Sequence, residues 1–177
     1  HPSFGFLLLL FLLMEGFAIN NTFTRVKVPL NRELKKIIAY SLCGGTTISL
    51  MYFLLVVIGG NTWSDPRYFI PIAGMLIGNS MTGISLGINR LIDSMRTERD
   101  RIEGALMLGA TPKMASKDSV NKAFDASILP TINSMLGMGI VFLPGMMTGQ
   151  ILSGTSPLIA IKYQIAIMLG ILGSVAF

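Results

Sequence analysis

The residues best placed to do work lie in one charged stretch, Arg90 to Asp125, set between two apolar and uncharged ones. Its centre reads Glu103-Gly-Ala-Leu-Met-Leu-Gly109-Ala110-Thr111-Pro112. Gly109 can take the left-handed conformation that ends a helix, Thr111 can cap a new one, and Pro112 suits its first position. Arg96 and Asp100, Arg99 and Glu103, and Asp118 and Lys122 stand four apart. Each such pair supports an exposed helix by about 0.2–0.5 kcal/mol. The pattern predicts a helix over 90–108, a second over 112–124, and a stiff elbow between them. The chemistry of such an element is mechanical: something soluble can push on it.

Bond-making chemistry finds no residues to carry it. There is no Gly-Lys-Ser or Gly-Lys-Thr nucleotide loop, and Ser, His and Asp form no nucleophile set. His1 is the single histidine. Cys43 is the single cysteine, which excludes an internal disulfide or a multi-cysteine metal site, and it reads as a packing residue. No enzyme activity and no cofactor are expected from this stretch of chain.

Polar residues inside the apolar stretches are the next candidates: Asn79, Ser80 and Thr82, then Asn133 and Ser134, then Thr148 and Gln150. In lipid an amide or hydroxyl must find a partner, so these are expected to face the bundle interior. They either bond between helices or line a path for a solute, and Asn79, Asn133, Ser134 and Gln150 are the candidates for such a path. Met135, Met138, Met146 and Met147 are either adaptable packing or soft donors to a metal ion, and no metal ligand set is assigned. Glu15 is either a pathway residue or one that reaches the headgroups. Pro144-Gly145 should break a helix, as an ordinary kink or as the interruption that marks a transport site.

Composition tells what kind of scaffold holds these residues. The 177 residues are 51% hydrophobic and 13% charged, with 19 glycines and 12 methionines. Soluble domains carry about 25% charged residues. A membrane-spanning helix needs about 20 mostly apolar residues, and five candidates appear, at 4–19, 37–60, 68–89, 126–152 and 158–177. The net charge of +5 sits in the gaps between them, as in membrane topology rather than in a nucleic-acid-binding face. Arg25, Lys27, Arg32, Lys35 and Lys36 fill one gap; Arg90, Arg96, Arg99, Arg101, Lys113, Lys117 and Lys122 fill another. The positive-inside rule puts both in the cytoplasm. Asn20-Asn21-Thr22, which fits the glycosylation pattern, would then face the cytoplasm and stay unmodified. Gly74 and Gly78, Gly83 and Gly87, and Gly145 and Gly149 stand four apart, either for close helix packing or for a gated path. The expectation is an all-α polytopic transmembrane bundle, one domain over 1–177, with a coupling segment at 90–125. The non-Met start and apolar end suggest a fragment.

Several stretches resemble the Fet-type permeases, membrane subunits of ATP-binding-cassette transporters that include a bacterial iron exporter and plant aluminium-tolerance permeases. These are Ile70-Pro-Ile-Ala-Gly-Met-Leu-Ile-Gly-Asn79, Leu108-Gly-Ala-Thr-Pro112, Leu129-Pro-Thr-Ile-Asn-Ser134, Leu143-Pro-Gly-Met-Met-Thr-Gly-Gln150 and Ile161-Lys-Tyr-Gln-Ile165. The likeness covers roughly Asn31 onward. It implies a homodimeric permease paired with a separate ATPase, moving a metal ion or a metal-linked solute. It also implies that Glu103, Gly109, Ala110, Thr111 and Pro112 dock on that ATPase. In many importers the docking loop reads Glu-Ala-Ala, three residues, Gly; Glu103, Ala105 and Gly109 match this spacing and Gly104 departs from it. The rival expectations are a non-transporting scaffold or regulator that holds a cytoplasmic partner by the same elbow, and an integral-membrane enzyme whose reactive set lies elsewhere.

Overall fold

The structure, a computed structural model, describes residues 4–27, 30–57 and 65–176. His1, the last residues of the second expected span (58–60) and Phe177 lie outside them. Helices make up almost all of the described chain, and no strand forms among the described residues.

Helix α1 runs Phe4–Arg25, six residues past the expected end at Ile19. The polar run Asn20-Asn21-Thr22 continues the helix because its groups find partners within it or beside it. Thr22 is fully buried and its hydroxyl donates to the Ala18 carbonyl at 2.8 Å. Asn89, 64 residues away, donates to the Arg25 carbonyl at 3.1 Å and accepts from the Lys27 amide at 3.0 Å. One side chain thus satisfies backbone groups that the helix end leaves open.

Helix α2, Arg32–Tyr52, starts five residues before the expected span, behind the cap Asn31. It passes directly into a π-helical segment, Phe53–Val57, whose Phe53 and Leu54 are buried. Helix α3, Pro66–Thr97, opens on Asp65, whose side chain accepts from the Arg67 amide at 2.9 Å, with Pro66 at the first position. Its 32 residues span about 48 Å. The hydrocarbon layer is about 30 Å thick, so α3 is longer than one crossing needs.

Helix α4, Arg99–Met107, comes after a break at Glu98; α5, Pro112–Ala115, and α6, Lys117–Gly137, form the return arm. The fourth expected span, 126–152, is not one helix. Helix α6 ends at Gly137, seven residues before Pro144, and the chain turns through Gly139 at φ 81°. The Phe142 carbonyl accepts from the Gly139 amide at 3.0 Å, and the Phe142 ring leans on Gly137. Pro144 stands just before a second, short helix, α7, Gly145–Leu152. The two glycines make the break, and the proline opens α7. Helix α8, Pro157–Ala176, closes the bundle.

Gly5–Arg25, Arg32–Val57, Pro66–Thr97 and Pro157–Ala176 are long and apolar enough to cross a membrane. Helix α3 is the centre and packs against α1, α2, α6 and α8. Its Phe69, Ile72, Ala73, Leu76 and Ile77 meet Leu7 and Phe11 of α1, Leu42 and Leu50 of α2, and Ile167 and Ile171 of α8 in one apolar core. At two glycines α3 lies close against α6, and at one of them against Val175 of α8 as well. A Cβ on Gly83 would sit 2.6 Å from Val175 Cγ1 and 3.0 Å from the Ser127 carbonyl oxygen; one on Gly87 would sit 3.3 Å from the Ala123 carbonyl oxygen. For that pair the spacing is a packing device. Gly78, Gly145 and Gly149 have open space instead.

Candidate functional site

The elbow is built from backbone signals. Gly109, at φ 91°, ends α4, with its amide on the Leu106 carbonyl at 3.0 Å and the Ala110 amide on the Ala105 carbonyl at 3.0 Å. That pair of bonds is a Schellman motif, in which glycine avoids the Cβ clash. Two residues later the Thr111 hydroxyl accepts from the Met114 amide at 3.3 Å, and Pro112 begins α5. Helix end, reversal and helix start therefore occupy only four residues, which leaves the tip little freedom.

Two layers of side-chain contacts hold the arms together behind the tip. The inner layer is Ser94 donating to Ser119 at 3.1 Å, both buried. The outer layer is ionic. Glu98 Oε1 takes a hydrogen bond from Lys122, and Asp118 Oδ2 takes bonds from Lys122 and Arg101, each at 3.0 Å. Arg101 also lies 3.5 Å from Glu98 Oε2, a Coulombic contact without a hydrogen bond. The Lys122 bond holds the Glu98 carboxyl below its usual range, and bonds from Lys122 and then Arg101 do the same for Asp118. The Lys122 ammonium is held above its usual range by Glu98 first and Asp118 second. Of the expected pairs, Arg99–Glu103 (2.7 Å) and Asp118–Lys122 form; Arg96–Asp100 is not among the ion pairs of the described residues. Glu103 is thus engaged along its own helix, while Gly109, Thr111 and Pro112 are exposed at the tip and Ala110 is half-buried.

Sequence reasoning passes over the apolar surface of that tip. Met107 and Leu108 are 87% and 91% exposed, and Met114 is 69% exposed. The signal is an apolar run, Leu106-Met107-Leu108, at a place where a helix must end.

A large cavity lies at the other end of the bundle, between the start of α3 and α7. It holds about 930 Å³ and is lined by Asp65, Arg67, Met75, Met146, Gln150 and Thr155 among others. Gln150 alone of the four pathway candidates lines it. Asn79 lies one turn beyond Met75, on the edge of the buried stripe of α3, where its amide donates to the Met75 carbonyl at 2.7 Å. Asn133 is exposed on α6, and Ser134 is half-buried with its hydroxyl on the Pro130 carbonyl at 2.9 Å. The expected inward orientation therefore describes Ser80, bonded to Ser174 at 2.9 Å, but neither Asn79 nor Asn133. No three His, Cys, Asp or Glu side chains converge among the described residues. Besides Ser80, the buried polar groups include Glu15 (3% exposed), Thr46 (0%) and Gln164 (1%), the last with both amide atoms unpaired.

A central long helix, apolar spans around it and a braced charged elbow define an integral, multi-pass helical membrane protein. The profile of the uncharacterised protein family UPF0014 matches residues 1–177, and the chain belongs to that family. A UPF0014 membrane protein of Synechocystis sp. is 43% identical over 81% of this chain and 56% of its own length. The Arabidopsis thaliana protein ALUMINUM SENSITIVE 3 is 39% identical over 93% of this chain and 58% of its own. The probable iron export permease protein FetB of Escherichia coli is 35% identical over 93% of this chain and 61% of its own. The chain thus spans somewhat over half the length of these relatives. No solved structure matches it.

Proposed function

We propose that this chain belongs to the membrane subunit of an ATP-binding-cassette transporter that exports a metal ion, energised by a separate ATPase. The observation that carries the reading is the elbow. Its two arms continue or lead into membrane helices, a four-residue reversal joins them, and Ser94–Ser119 and the Glu98–Lys122–Asp118–Arg101 network brace them. A braced lever transmits displacement to the spans, whereas a slack loop absorbs it. The exposed apolar tip of Met107, Leu108 and Met114 offers the buried centre of a protein interface, and the charges around it offer a polar rim.

In this reading the elbow lies in the cytoplasm, and Glu103, Gly109, Ala110, Thr111 and Pro112 form the coupling tip. The chain does no hydrolysis itself. The cavity at the far end, with Gln150, Met75 and Met146, is the outer vestibule. Iron as cargo follows the name of the bacterial relative, and aluminium tolerance the name of the plant one. A scaffold that docks a partner without transport would use the same tip, so the test must read coupling. Gly109→Val forces a β-branched residue to φ 91°, where a left-handed conformation costs roughly 1–2 kcal/mol. The expected result is normal membrane insertion with loss of cargo-stimulated ATPase activity in the reconstituted complex. Unchanged coupling, or reagents reaching Cys-substituted Arg99 and Lys117 only from outside the cell, would sink the reading.

A further inference from the structure

Two features of α1 meet at one end of the bundle, and the first is apolar. A groove of about 340 Å³ runs between α1 and α3. Leu10, Met14, Phe17 and Ala18 line it from α1, and Gly78 and Met81 line it from α3. A Cβ on Gly78 would meet nothing within 4 Å, and Phe17 is exposed, so the groove is open on its outer side.

The second feature is ionic. Met14 to Asn21 and Ala18 to Arg25 are two-turn steps, so the face of α1 that lines the groove continues to Asn21 and Arg25. Asn21 Oδ1 accepts from Arg25 Nε at 3.2 Å. That bond draws the guanidinium back toward the groove. It leaves the rest of the N–H fork unbonded among the described residues. Asn89 of α3 fixes the place of the cations through the Arg25 carbonyl and the Lys27 amide. Lys35 of α2 comes to the same end, its ammonium 5.6 Å from the centre of the Phe23 ring. Where these helices meet, Arg25, Lys27, Arg32, Lys35, Lys36 and Arg90 stand against only Glu33 and Asp93. Lys36 takes Glu33 at 3.1 Å. Neither Arg25 nor Lys27 pairs with a carboxylate among the described residues.

Groove and cations stand at a separation that one molecule can span. Asn21, beside which the guanidinium lies, is about one turn, or roughly 5 Å, beyond Ala18. The polar layer at each face of a bilayer extends about 5–7 Å beyond the hydrocarbon. An acyl chain in the groove therefore sets a phosphate at the level of Arg25. Basic pockets between membrane helices select anionic headgroups. A zwitterionic headgroup would bring a further cation to an end already rich in them.

We propose that this groove and Arg25 bind one anionic phospholipid of the leaflet at the basic end. An acyl chain lies along α1 from Leu10 to Ala18, and the phosphate accepts hydrogen bonds from Arg25. Lys27 is the second cation, and Asn21 positions the guanidinium. The site does not depend on the transport reading.

The test uses the full-length protein in nanodiscs of phosphatidylcholine and phosphatidylglycerol in equal parts, with retained lipid read by native mass spectrometry. Phosphatidylglycerol should be retained in preference, one per chain. Arg25→Gln should lower that preference about fivefold, the worth of one cation at an anionic membrane surface. Arg25→Lys keeps the charge and should restore most of it. Gly78→Leu fills the groove without touching a charge and should lower retention of both lipids. Lys113→Gln, which removes one charge from the elbow instead, should leave the preference at the parent's. Circular dichroism checks that each variant stays helical. Equal retention of the two lipids by the parent, or a preference that survives Arg25→Gln, would overturn the proposal. So would unchanged retention in Gly78→Leu, which would mean that protein rather than lipid covers the groove. Displacement of the lipid by soluble glycerol phosphate would overturn it too, because the cations would then serve a free phosphate.

Discussion

At the scale of single residues, the glycines divide by what surrounds them, and the division is testable. Gly83 has no room for a methyl group, because the Ser127 carbonyl oxygen at 3.0 Å is backbone and cannot swing aside. Gly78, on the same helix, has nothing within 4 Å of the point where a Cβ would stand. Gly83→Ala should therefore separate α3 from α6, at about 1–3 kcal/mol of overpacking less the helix gain from alanine. Gly78→Ala should be neutral or stabilising by up to about 1 kcal/mol. Thermal unfolding in detergent, followed by circular dichroism, compares the two. Equal midpoints would mean that α3 and α6 are not in the contact described.

Among the elements, the elbow's ionic brace has a definite pH window. Glu98 and Asp118 are held below their usual range, chiefly by Lys122. Their contribution is fully present above the ordinary carboxylate range and is lost as pH falls through the lowered values. Lys122 is held above its usual range, so its share is complete below the ordinary lysine range and is lost only as pH rises through the raised value. The brace should hold across neutral pH and loosen in strong acid, with Ser94–Ser119 left as the inner contact. Spin labels on cysteines replacing Asp100 and Asn121 should show a broadened distance distribution under acid or high salt. Lys122→Met should show it already at neutral pH. A distribution unmoved by all three would mean that the charges do not brace the arms.

The same elements show how far a sequence discloses its fold. The turn of the elbow is legible because each part of it has a local signal, a glycine at the stop and Thr-Pro at the restart; the brace between its arms is not, because Ser94–Ser119, Glu98–Lys122 and Arg101–Asp118 join residues 25, 24 and 17 apart. The end of α1 is not, because Asn20-Asn21-Thr22 reads as a polar exit when Asn89, which bonds the helix end, is 64 residues away. Pro144 draws the expected break to itself because proline is the louder breaker, although Gly137 and Gly139 provide the turn. Glu15 cannot be placed from sequence, since hydropathy gives depth along a helix but not which side faces a neighbour. Thr46 and Cys43 meet it across a helix pair that no local pattern encodes.

Over the whole molecule, the outward-facing amides raise the question of what covers them. Asn79 and Asn133 are exposed on α3 and α6, and Leu129 and Leu136, on the same helix as Asn133, are 54% and 72% exposed. An amide facing hydrocarbon loses its hydrogen bonds to water, and in membrane proteins such groups bond across helix interfaces instead. A second copy of the chain supplies that cover if the homodimer that the family resemblance implies meets along α3 and α6. It would also set the two elbows side by side for a pair of ATPases. By contrast, Leu9 and Phe17 of α1 are 54% and 69% exposed and wholly apolar, as a lipid-facing surface should be. Single cysteines replacing Asn133 or Asn79 in the full-length protein should therefore cross-link to a second copy in native membranes under mild oxidation. Cysteines replacing Leu9 or Phe17 should not. Cross-linking confined to α1 would place the partner on the opposite face and leave both amides without cover.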